Sequence, residues 1–149
     1  MNRPGPRLAY MAMAVALALC GAARAQDRAS SPELEKAGWT LITASEDVFV
    51  YMRPAGQGDA GLRRVWTAYD ADGPREHDGF TFRSVESLGE FDCRRNVSRV
   101  VEETYHEAAA LTGKSWQSPK FIPTPWTTPA PGSVGAIRMA FACRTLTDT

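Results

Sequence analysis

Between Trp39 and His106 the chain is a succession of short extended runs separated by turn residues, and this pattern limits the fold more than any other feature. Residues 39–43 form one run, closed by the polar turn Ser45-Glu46-Asp47. Residues 48–52 form a second, rich in β-branched and aromatic side chains. A loop marked by Gly56, Gly58 and Gly61 leads to residues 62–69, where Val65, Thr67 and Tyr69 share one face and Arg64, Trp66 and Ala68 the other. The charged stretch 70–79 reads as a loop. Residues 80–93 are extended again, with Gly89 placed for a bulge or bend in so long a strand. After Arg94-Arg95-Asn96, residues 97–106 alternate, with Val97, Arg99, Val101 and Tyr105 on one face. Five such strands at short spacings predict an antiparallel meander.

Beyond the meander the character changes. Five of the ten prolines fall between Pro119 and Pro131, with Phe121, Ile122 and Trp126 among them. Proline has no N–H to donate to a ladder, so this piece should be irregular and pinned by its aromatics. Pro131-Gly132-Ser133 then opens a helix over residues 134–143, with Ser133 as N-cap and Ala136, Met139, Ala140 and Cys143 on one face. A helix so short and apolar does not stand alone in water, so it must lie on the sheet. The fold class is α+β.

The first 25 residues read as a secretory leader. Arg3 and Arg7 precede an uncharged run from Leu8 to Ala23, and Ala23-Arg24-Ala25 offers small residues to a signal peptidase. That run falls short of a spanning helix, so no transmembrane segment is expected. Leu17-Ala18-Leu19-Cys20 is a competing lipid-attachment site, but Leu19 stands where such signals carry a small residue. Cleavage after Ala25 is favoured, leaving a polar tether over 26–37 and one domain over 38–145, in the periplasm or at the cell surface.

Cleavage removes Arg3, Arg7, Arg24 and Cys20, leaving 14 basic and 17 acidic groups and only Cys93 and Cys143. Neither cysteine stands in a C-x-x-C motif, and exported thiols oxidise, so a structural disulfide is expected over a redox or nucleophilic thiol. Its loop spans 50 positions, which chain-entropy arguments value at ~4 kcal/mol.

The motifs occur in a recognisable order: Trp39; Ser45-Glu46-Asp47 before Tyr51; Arg64-Val65-Trp66; Ser84 and Leu88; Glu90-Phe91-Asp92-Cys93; Pro125-Trp126; Pro131 to Ser133; Ala142-Cys143. In this set, from Trp39 to Cys143, the chain resembles the bacterial surface-adhesin protein E family. The resemblance implies an antiparallel sheet of about six strands with a C-terminal helix tied to one face by a disulfide. It also implies a non-enzymatic envelope protein that binds a macromolecule, a host extracellular matrix protein among the candidates. The alternative is a periplasmic carrier of a small hydrophobic ligand such as haem, which would need Trp116, Trp126 and Met139 to line one pocket.

The residues themselves point to no catalytic chemistry. No Ser/His/Asp or Cys/His set and no phosphate loop is readable, and no cofactor or metal is called for. Asp70, Asp72, Glu76 and Asp78 sit near one another, yet Pro74 and Thr81 stand where a calcium loop needs ligands. Equal numbers of acidic and basic groups argue against a nucleic-acid partner, which needs a basic surface to neutralise phosphates. His77 and His106 read as surface histidines, Arg94, Arg95 and Arg99 as a small basic patch on a solvated turn, Asn96-Val97-Ser98 as a chance and silent match to the sequon, and the four tryptophans as core.

Overall fold

The computed structural model describes residues 30–144. The expected leader, Cys20 and residues 145–149 lie outside them. The strands are β1 (Thr40–Ala44), β2 (Val48–Gln57), β3 (Arg63–His77), β4 (Phe80–Asp92), β5 (Val97–His106) and β6 (Ser115–Trp116), flanked by helices α1 (Pro32–Lys36) and α2 (Val134–Arg144). They form one six-stranded sheet in sequence order, each neighbouring pair antiparallel. The meander and the α+β class are as expected.

Strand alternation sends neighbouring side chains to opposite faces, and both faces are covered. On one face Met52, Val65 and Phe91 pack beneath Met139 and Ala142 of α2, with Ile42, Phe141 and Cys143 around them. On the other, Tyr51 and Ala68 pack with Leu34 of α1 and Trp39, flanked by Phe49, Trp66, Ala110 and Leu111. The Cys93–Cys143 disulfide joins the β4–β5 turn to the last turn of α2. Ser133 caps that helix as expected, its Oγ accepting the Ala136 N–H at 3.2 Å. The buried stripe centres on Met139 and Ala142 rather than on Ala136 and Ala140.

Four departures have physical causes. The stretch 70–79 is not a loop: β3 runs on to His77, broken by a register shift between Asp70 and Arg75, and the chain reverses at Asp78-Gly79. Both turn residues have positive φ (47° and 76°), the conformation that the two-residue hairpin turn requires and Asp-Gly favours. In β5 a second shift places Leu88 opposite Glu102 and Gly89 opposite Val100, so Val101 is an extra residue. Parity flips there, and Arg99 and Tyr105 point to opposite faces rather than sharing one. The stretch read as a tether contains α1, which buries Leu34 on the sheet while the Ser31 N–H donates to the Tyr51 hydroxyl at 2.6 Å. Finally, of the four tryptophans only Trp39 is buried; Trp66, Trp116 and Trp126 are half-buried.

Candidate functional site

The two edges of the sheet are treated differently. At β5 the outer edge is sealed by the proline-rich segment: Ser98 and Thr127 exchange backbone hydrogen bonds at 2.9 and 3.0 Å. Thr124 adds two more, donating its N–H to the Val100 carbonyl and accepting the Val100 N–H on its hydroxyl. The Arg99 guanidinium, 4.6 Å from the Trp126 ring centre, holds that segment down. Trp126 thus pins it as expected, while Ile122 is 81% exposed.

The β1 edge is open. Among the described residues no strand and no loop backbone pairs with its outer side. Unpaired backbone donors and acceptors on such an edge are a template for another chain. Beside it lies a hollow of about 350 Å³ walled by Thr43, Ala44, Val48, Val50, Tyr69 and Val134. Val50 forms a buried wall, and Val134, 40% exposed, overhangs the rim at the start of α2. Gly135 lets this helix start pack close to the proline segment, since a Cβ there would meet Pro129 Cβ at 3.1 Å.

The fold fixes this end with buried polar groups. Asp70 accepts the Ala110 N–H at 3.1 Å, and burial pushes its carboxyl up in pKa. Ser84 Oγ donates to the Ala108 carbonyl at 2.6 Å and accepts the Leu111 N–H at 2.9 Å. Together they clamp the loop after β5, where Ala110 and Leu111 hold the left-handed φ that non-glycine residues resist. Toward the opposite end, Glu90 is gripped by Arg64 at 3.0 Å and Arg99 at 2.7 Å. Burial pushes Glu90 up, yet the hydrogen bonds from Arg99 and Arg64 outweigh it and hold the carboxyl below its usual range.

The residues singled out in the sequence are dispersed. Met139 is buried under α2, Trp126 lies on Arg99, and Trp116 packs with Tyr105 and His77, so these do not line one pocket. His77 stacks on Tyr105 at 4.6 Å with half its surface open. His106 is not a surface histidine: its side chain is 13% exposed, burial lowers its pKa, and its Nε2 stands 4.0 Å from Glu86. Arg99 leaves the expected basic patch for Glu90, and Asn96 sits exposed in the β4–β5 turn. Among the described residues no group of three or more His, Cys, Asp or Glu is arranged to hold a metal ion, and Asp70 is spent on Ala110. No described helix is long and apolar enough to cross a membrane.

A sheet face or edge is a surface that the sequence already suggests for binding, but which edge is open, and the hollow beside it, are not legible there because they are built from four elements. The one available signal was Ser133 as N-cap, which fixes where α2 begins.

Comparison with curated proteins and with solved structures gave no match. The family model for surface-adhesin protein E matches residues 39–144, from the tryptophan before β1 to the last residue of α2. With a match over most of its length, ending just past the bridging Cys143, the chain belongs to the surface-adhesin protein E family.

Proposed function

We propose that this protein is an exported, non-enzymatic adhesin that captures an extended segment of a macromolecular partner along β1. The partner's backbone pairs with the open edge, and its apolar side chains enter the hollow beside Val50 and Val134. One observation carries the reading: the sheet seals the β5 edge with the segment around Thr124 and Thr127 and leaves the β1 edge unpaired among the described residues. Membership of a surface-adhesin family supports an exported protein and a macromolecular partner. A host extracellular matrix protein is the partner class to try first. The leader ending at Ala25 supplies the route of export, and intact mass should show a mature chain beginning at Gln26.

The test is binding of purified extracellular matrix glycoproteins to the immobilised mature protein, parent against Ala44→Lys and Val134→Glu. Both sites are exposed, so the variants should fold. Each should weaken binding at least tenfold, a loss of ~1.4 kcal/mol. Binding by the parent that both variants retain would overturn the assignment to β1. Absence of binding to any matrix protein would overturn the partner class.

A further inference from the structure

At the far end of α2 the surface carries different chemistry. A hollow of about 430 Å³ opens where β2 ends, β3 begins and β4 turns into β5, with the Cys93–Cys143 bridge in its wall. Arg63, Arg94 and Arg95 line it together with Gln57 and a single carboxylate, Asp92.

Two of them, Arg63 and Arg94, differ from the other described arginines. Arg53 pairs with Glu86, Arg64 and Arg99 with Glu90, and Arg75 with Asp47. Arg83 donates to the Ala71 and Asp72 carbonyls, and Arg138 to the Thr67 hydroxyl. The Arg63 and Arg94 side chains have neither an ion pair nor a hydrogen bond among the described residues. Asp92 forms no direct ion pair with either, because its Oδ1 accepts the backbone N–H groups of Arg94 and Arg95, each at 3.1 Å, although its charge still counts against an anion. Its Oδ2 reaches only Arg95, at 4.0 Å.

The helix end works against an anion, since the C-terminus of a helix carries roughly half a negative charge. Three guanidinium groups against that and one carboxylate still leave an excess of more than one positive charge. Uncompensated guanidinium forks in a concavity match the oxygens of a tetrahedral oxyanion, which they bind two at a time. The hollow exceeds what a bare oxyanion fills and suits a sugar-sized ligand. Gln57 adds an amide that both donates and accepts, as sugar hydroxyls require.

We propose that this hollow binds a sugar bearing a phosphate or sulfate monoester, the ester held by Arg63, Arg94 and Arg95 and the ring lying toward Gln57. The site stands apart from the β1 edge, at the other end of α2, and does not depend on the proposed function.

The experiment is a titration of the ¹⁵N-labelled mature protein at low salt with glucose 6-phosphate, glucose 6-sulfate, glucose and inorganic phosphate, followed by amide and arginine Nε–H shifts. Saturable shifts at Arg63 and at Arg94 and Arg95 are expected with at least one ester, weakening as salt is raised. Arg63→Gln with Arg94→Gln should weaken that binding at least tenfold, whereas Arg75→Gln, on the remote hairpin, should leave it intact. No saturable shift with either ester would overturn the proposal, as would equal binding by glucose or undiminished binding by the double variant. Inorganic phosphate binding as tightly as both esters would overturn the part assigned to the sugar.

Discussion

Opening the Cys93–Cys143 bridge should lower the melting temperature by roughly 15 °C, and the structure shows why. The bridge closes a 50-position loop containing β5, β6, the proline segment and α2. Freed in the unfolded chain, a loop of that length gains entropy equivalent to ~4 kcal/mol at 25 °C. Unfolding entropy near ~2.1 cal/mol/K per residue over residues 30–144 converts each kcal/mol into about 4 °C. The assay is thermal unfolding followed by near-ultraviolet circular dichroism. It compares oxidised parent, parent in reductant, and Cys93→Ser with Cys143→Ala. Cys93 is exposed, whereas Cys143 packs on Met139 with their sulfurs 3.5 Å apart, so the double variant also loses some packing. The reduced parent keeps every side-chain atom and isolates the loop contribution. Reduced and oxidised parent melting together would refute the entropic argument. A large loss confined to the double variant would reassign the effect to packing.

Three further predictions concern single side chains. Glu90→Gln should cost ~2 kcal/mol in urea unfolding, because it leaves Arg64 and Arg99 without their carboxylate. Since the folded Glu90 pKa is depressed, its contribution is complete above the unfolded carboxylate range and is lost as pH falls through the folded value. The parent's stability should therefore drop more steeply than the variant's below about pH 4. Gly89→Ala should cost ~1–3 kcal/mol by overpacking, since a Cβ there would lie 2.8 Å from the fully buried Phe91 ring; an unchanged urea midpoint would refute it. Ser84→Ala should cost ~2 kcal/mol and speed hydrogen exchange at the Leu111 amide, whose only acceptor in the clamp is the Ser84 hydroxyl.

The meander, the α2 cap and the disulfide were legible because each rests on local or countable features: alternation within a strand, serine before an apolar run, two cysteines beyond the expected leader. What escaped the sequence involved register. The hairpin at Asp78-Gly79 had a readable turn signal, yet the acidic character of 70–79 read as a loop, because a charged strand arm extending past the sheet buries little and shows no apolar alternation. The bulge at Val101 adds one residue to β5 and inverts everything beyond it, so an unbroken alternation from Val97 assigned Tyr105 to the wrong face. Residues 30–37 read as polar because a single leucine, Leu34, anchors α1, and one residue makes no pattern.

The binding surfaces were less legible for a reason that Arg63 and Arg64 make concrete. They are adjacent in sequence and identical in type, and the strand pleat sends them to opposite faces. Arg64 meets Glu90, which Arg99 reaches from β5 across the register, and the charge is consumed. Arg63 emerges toward the end of α2, where Arg94 and Arg95 arrive from the β4–β5 turn and Asp92 is already spent on its own turn. A basic patch counted along the chain would group Arg94 and Arg95 with Arg99. Ladder pairing removes Arg99 and substitutes Arg63, from a strand two positions away in the sheet. Which cations remain available to a ligand is thus decided by register, and composition alone does not carry that information.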